Sequence, residues 1–205
     1  MKIVNNFERI SSYMDIYPLK EGEFYLISIL YRGKDGSTIN KNGNNKNRLI
    51  KSYYVKSSEH LKSLKDEIIS ISNICNARVY FYPSKRSFKE VADKFLELFP
   101  SVYLSNPEGI KYLYDSACGQ SRVEGNKLFL VDIDTSDLHF IRKVKETINS
   151  LEPEGNKIVL VNPTLNGFHI ISTPFNTQKF KEIYEDIDIH KNNPTLLYYN
   201  SNCKT

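Results

Sequence analysis

Three cysteines, Cys75, Cys118 and Cys203, are too few and too far apart for a disulfide framework, and no CxxC pair is present to seat a zinc knuckle. No apolar run reaches the ~18 residues that a membrane span requires. The longest apolar stretches, such as Tyr25 to Tyr31 and Leu128 to Val131, have the length of buried strands. The opening residues MKIVNNFERI set charge and amide directly after a few apolar positions, which is not the pattern of a secretory leader; the expectation is a cytoplasmic protein that does not engage a membrane. Internal repeats are absent, and the one low-complexity tract is Asn-rich. What remains is an ordinary globular composition: 205 residues, 40% hydrophobic and 25% charged, enough for one large domain or two small modules sharing a core.

The net charge of +4 is unevenly spread. Residues 1 to 100 carry 17 Lys and Arg against 11 Asp and Glu, and residues 101 to 205 carry 11 against 13. A basic front beside an acidic rear suits a protein that brings polyanions to a carboxylate site.

The front half reads as an α/β module over residues 1 to 120. Two β-prone runs, Glu23 to Tyr31 and Leu49 to Val55, flank the polar segment GKDGSTINKNGNNKNR, and Arg32 to Lys56 holds seven basic residues and one acidic one, a hairpin able to track a phosphate backbone. Leu61, Leu64, Ile68 and Ile71 have helical spacing, Ala77 to Tyr82 reads as a strand, and Ser87 to Phe99 as a second helix. The intervening PSKRS reads as a turn that places Lys85 and Arg86 before a helix N-terminus, where an anion is favoured. Pro107 to Ser116 reads as a short helix followed by a CGQSR loop.

Residues 121 to 205 alternate in the order β-α-β-β-α-β: strand Leu128 to Asp134, helix Ser136 to Leu151, strands Lys157 to Val161 and Phe168 to Thr173, helix Asn176 to Glu185, and a final extended segment from about Ile187 to Tyr199. This is the split unit of ferredoxin-like and RNA-recognition-motif-like (RRM-like) folds, with both helices on one face of an antiparallel sheet. The fold expected is therefore α+β, an RRM-like module preceded by a flanking α/β module, with one sheet face left open.

In FLVDIDT, strand alternation points Phe129, Val131 and Ile133 one way and Leu130, Asp132 and Asp134 the other. Two carboxylates ~7 Å apart on one strand face repel each other and have little structural use. They are suited to hold Mg²⁺ or Mn²⁺, which can draw in a triphosphate and assist in-line displacement at phosphorus. Downstream, Asn166 and Gly167 close a turn and His169 enters the next strand beside the acids, with Gly167 leaving room for a phosphate. In YEDIDIHKNN, Asp188 opens the last strand as a third carboxylate, with Asp186 as its competitor.

The series LFLVDID, NGFHI and IDIHK resembles the three motifs of the archaeo-eukaryotic primase superfamily, the primase small-subunit and primase-polymerase catalytic domains. The resemblance spans roughly residues 125 to 200 and includes the order of the motifs and their placement on strands. It implies that Asp132, Asp134 and Asp188 are catalytic metal ligands for Mg²⁺ or Mn²⁺ and that His169 contacts the phosphates of a nucleoside triphosphate. It further implies a single-stranded nucleic acid template crossing a basic cleft, and a helicase or accessory subunit as a partner. Lys85, Arg86 and Arg122 are candidate phosphate contacts that no motif carries over. The chain lacks the zinc-binding insertion of many relatives and has Gly167 where Ser is frequent.

Two other readings compete. DIDTSD is similar to the nucleophile loop of haloacid-dehalogenase-type phosphatases, although Thr135 stands directly after the second Asp, and that fold requires a parallel doubly wound sheet. A non-catalytic RRM-like binder would stack bases on exposed aromatics, for which Tyr53, Tyr54, Tyr80 and Tyr82 are the candidates.

Overall fold

The computed structural model describes residues 2–33, 47–121, 123, 125 and 127–202. Among the described residues, nine strands form two antiparallel sheets. The first sheet has the order β1-β9-β4-β2-β3, built from β1 (Ile3–Asn5), β2 (Glu23–Tyr31), β3 (Arg48–Val55), β4 (Arg78–Ser87) and β9 (Thr195–Asn200). Alternation along β2 fixes its two faces. Tyr25, Ile27 and Ile29 meet α1 (Phe7–Ile16) and α2 (Ser58–Ile74), whereas Phe24 and Leu26 meet α3 (Phe88–Ser105) and α4 (Leu113–Gln120). Helix α1 earns its place through Phe7, Ile10, Tyr13 and Met14, buried on a single face.

The second sheet carries β5 (Phe129–Ile133), α5 (Leu138–Ser150), β6 (Ile158–Pro163), β7 (Phe168–Ser172), α6 (Thr177–Ile183) and β8 (Asp188–Lys191). Its order, β6-β7-β5-β8, puts the first and third strands of the unit side by side at the centre, the arrangement of the split β-α-β unit. Phe129, Val131 and Ile133 pack against Ile141, Val144 and Ile148 of α5 and Phe180 of α6, so both helices cover one face. The antiparallel pairing leaves no parallel doubly wound sheet of the kind the phosphatase reading needs.

Five expectations about layout change. The last extended segment is two strands in two sheets: β8 pairs with β5, the chain crosses at Asn192–Pro194, and β9 enters the first sheet between β1 and β4. The two modules are thus interleaved, and a boundary near residue 120 does not divide the sheets. The opposite face of the second sheet is open only at one end, because Leu128, Leu130 and Ile171 are buried there with Val159 and Leu160, which also reach the core of the first sheet. Finally, PSKRS is no turn. It continues β4 directly into α3, and a register shift between Phe24 and Leu26 of the partner strand accommodates Pro83, which has no N–H to give to a ladder. CGQ likewise belongs to α4 rather than to a loop. The Gly-, Asn- and Lys-rich tract between β2 and β3 falls on residues 34–46, outside the described residues. Among the described residues, no helix is long and apolar enough to cross a membrane.

Candidate functional site

The register of the second sheet assembles one polar row across all four strands. Asp132 on β5 stands opposite His169 on β7 and Asp188 on β8, and His169 stands opposite Asn162 on β6. Residues opposed across antiparallel strands project to the same face, so Asn162, His169, Asp132 and Asp188 share the face away from α5 and α6. His169 Nε2 lies 3.4 Å from Asp132 Oδ1. The hydrogen bond from His169 holds the Asp132 carboxyl below the ordinary carboxylate range against the desolvation that opposes it, and the charges of His169 and His190 add to the effect. The other ring nitrogen, Nδ1, is 3.0 Å from Thr195 Oγ1, on β9 of the first sheet.

A tight turn sets the end of this row. Thr164 N donates to the Gly167 carbonyl at 2.8 Å, and Gly167 N donates to Thr164 Oγ1 at 3.1 Å. A Cβ on Gly167 would lie 1.8 Å from the carbonyl oxygen of Ile133 and 2.7 Å from Thr135 N. Gly167 is therefore required by backbone packing against the end of β5, and the close approach it permits is to Ile133, not to a phosphate. Its effect is to press the His169 turn against the segment that carries Asp134.

Beyond the row opens a cleft of about 430 Å³ between the two sheets. One wall holds Asp132, Asp134, His169 and His190, with the turn Thr164–Asn166 at its rim. The opposite wall holds Arg32, just past β2, with Arg78 and Tyr80 of β4. Arg78 lies over the Tyr199 ring, 5.0 Å from its centroid, which orients the guanidinium along the wall. The basic front and acidic rear of the chain meet here, carboxylates and imidazoles facing two guanidinium groups.

The expected residues are distributed unevenly around this cleft. Asp132, Asp134 and His169 line it. Asp188 is brought beside Asp132 by strand pairing, though it is exposed and outside the lining set; Asp186 sits in the turn before β8. Lys85 and Arg86 do not reach the cleft. Lys85 Nζ donates to the Pro18 carbonyl at 2.7 Å, and Arg86 is buried, bonded to the Cys118 and Ser84 carbonyls and stacked on Tyr82. The strand that replaces the expected turn buries Arg86 and leaves Lys85 at the surface on the Pro18 carbonyl, so neither side chain lines this cleft. Arg122 lies outside the described residues. Of the front tyrosines, Tyr53 is buried, Tyr54 packs between Phe24, Phe88 and Tyr114, and Tyr82 lies under Arg86; Tyr80 is the member of that set in the cleft.

Arg32, Arg78 and Thr195 are contributors outside the motifs, and His190 is a residue of IDIHK to which the resemblance assigns no role. Two of them carried a signal. His190 follows Asp188 at strand spacing and so faces the same way, and Arg32 sits at the end of a predicted strand. Among the described residues, no three His, Cys, Asp or Glu side chains form a ready-made cation cage. The donor set nonetheless suits a hard cation of the Mg²⁺ kind, which is held by one or two carboxylates together with substrate phosphates and water rather than by an all-protein cage. The chain matches no family model, no curated protein and no solved structure.

Proposed function

We propose that the protein is a metal-dependent nucleotidyltransferase of the primase-polymerase type, adding nucleotides from nucleoside triphosphates along a single-stranded nucleic acid template. The observation that carries this reading is the opposition of charges across the cleft: Asp132, Asp134 and His169 on one wall, Arg32 and Arg78 on the other. A polyphosphate has the chemistry to bridge those walls. Its oxygens pair with guanidinium groups in bidentate fashion and share a divalent cation with carboxylates.

In this reading a 3′-hydroxyl attacks the α-phosphorus of the bound triphosphate, the bond to the β-phosphate oxygen breaks, and pyrophosphate leaves. Asp132 and Asp134, with Asp188 beside them, would hold Mg²⁺ or Mn²⁺, which supplies charge neutralisation at the reacting phosphate. Arg32 and Arg78 hold the triphosphate's outer phosphate oxygens, in the ground state and the transition state alike. His169 directs Nε2 toward the cleft beside Asp132, where the hydrogen bond between them favours the ionised carboxylate, the form that serves as a ligand. The chain's own contribution is positioning and electrostatics, the terms that dominate phosphoryl and nucleotidyl transfer.

A binder that stacks bases is less well supported, because three of the four tyrosines that would serve it are packing residues and the cleft wall is acidic. The deciding experiment incubates the full chain with single-stranded template, labelled ribo- or deoxyribonucleotides and Mg²⁺ or Mn²⁺, with and without primer. Template-dependent labelled product is the expected result. Binding of template with no incorporation under any of these conditions overturns the proposal in favour of the binder.

A further inference from the structure

We infer that Thr195 is a positioning residue for His169, a hydroxyl delivered from the first sheet that fixes the imidazole of the second. The inference rests on the reading above only for its kinetic arm. Its structural part stands on three groups, of which Thr195 and Asn162 are both fully buried.

Thr195 Oγ1 lies 3.0 Å from His169 Nδ1 and receives Asn162 Nδ2 at 3.2 Å. An amide nitrogen can only donate, so Asn162 occupies a lone pair of the hydroxyl and leaves the hydroxyl hydrogen to be placed. With Thr195 shut off from water, the acceptor in reach is Nδ1. The donors then run in one direction, from Asn162 Nδ2–H to Thr195, from Thr195 Oγ1–H to His169 Nδ1, and from His169 Nε2–H into the cleft beside Asp132, 3.4 Å away. Were Nδ1 to carry the proton instead, two donors would converge on one hydroxyl whose own hydrogen had no acceptor, an arrangement that burial penalises.

The topology gives this contact its meaning. Asn162 and His169 are neighbours in the second sheet, but Thr195 opens β9, the first residue to pair in the other sheet after the chain crosses over. Thr195 also pairs with Phe81 at the heart of the first sheet. The imidazole is aimed correctly only when the two sheets are docked, so assembly of the sheet junction and readiness of the cleft are one event. Asn162 sets the direction of the donor chain. Among the described residues its Oδ1 has no partner, and an amide turned over would present that oxygen to the Thr195 hydroxyl and reverse the chain.

The test is nitrogen-15 NMR of the histidine rings in the full chain over a pH series, read on its alkaline plateau, with the His169 signals identified by their loss in His169→Gln. The wild-type ring is expected to carry its proton on Nε2, with Nδ1 at the position of a hydrogen-bonded imine nitrogen. In Thr195→Val the Nδ1 resonance moves to that of an imine nitrogen without a donor, and Thr195→Ser restores it. In the incorporation assay Thr195→Val raises KM for the triphosphate about five- to tenfold, the effect of one lost hydrogen bond, with kcat within about threefold, and Thr195→Ser recovers both. A proton on Nδ1 in the wild type, or an unmoved Nδ1 signal in folded Thr195→Val, overturns the inference, and the wild-type spectrum decides the direction of the chain even if the valine variant fails to fold. Because the spectra need no turnover, an inactive protein with the expected signals would overturn the nucleotidyl-transfer reading and leave the positioning role standing.

Discussion

The two walls of the cleft are built by different means. On the acidic wall, Asn162, His169, Asp132 and Asp188 sit opposite one another on adjoining strands, so hydrogen-bonded register alone sets their spacing. On the basic wall, Arg32 and Arg78 come from the ends of two strands of the other sheet and reach the cleft on long stems, one of them steadied by the Tyr199 ring. A row fixed by register tolerates little change in geometry. The two guanidinium groups supply charge from outside that row. In the proposed function, reaction chemistry is assigned to the first wall and ligand capture to the second.

Substitution on the acidic wall is the most severe way to test that division. Replacing Asp132 or Asp134 by Ala should lower incorporation at least about a thousandfold while thermal unfolding stays cooperative, as expected for groups acting in the transition state; incorporation within about tenfold of wild type would remove the carboxylates from the chemistry. Gly167→Ala attacks the same wall through its backbone. A Cβ 1.8 Å from the Ile133 carbonyl forces the turn away from β5, so a loss of about 3 kcal/mol in denaturant unfolding is expected, with displacement of His169.

On the basic wall, Arg32→Ala or Arg78→Ala should raise KM for the triphosphate about tenfold and leave kcat nearly unchanged, the signature of uniform binding. A fall in kcat that matched the carboxylate variants would erase the distinction between the walls. The smallest expected effect concerns pH. Because the folded state depresses the Asp132 pKa, its ionised form stabilises the fold at pH above the unfolded carboxylate value near 3.9, and that contribution disappears as pH falls through the lower folded value. Asp132→Asn should therefore be slightly less stable than wild type at neutral pH, by well under 1 kcal/mol for so accessible a group, and equal to it near about pH 2. Urea midpoints measured across that range check the sign.

The acidic wall was also the more legible one. Alternation in FLVDID puts Asp132 opposite the apolar residues that meet α5, and the same period places Asp188 and His190 together, so the row follows once the strands are recognised. The basic wall gave no comparable pattern. PSKRS reads as a turn, but a register shift in the β2–β4 ladder absorbs Pro83, and Arg86 points into the interior. In helix α1, Phe7, Ile10 and Met14 keep helical spacing, a signal of under three turns.

By itself, the amino-acid sequence determined what depends on short-range period: strands and helices of the rear unit, their β-α-β-β-α-β succession, and the convergence of Asp132 with His169 on one face. Tertiary structure alone decided that β9 leaves its unit for the other sheet, that Leu130 and Ile171 are covered, and that Arg32, Arg78 and Thr195 face the acids. The physical reason is the range of the interactions. Alternation and capping act within a few residues and leave a pattern in the chain, whereas the pairing of β9 and the docking of two sheets depend on which distant surfaces bury the most apolar area together, and no local pattern records that choice.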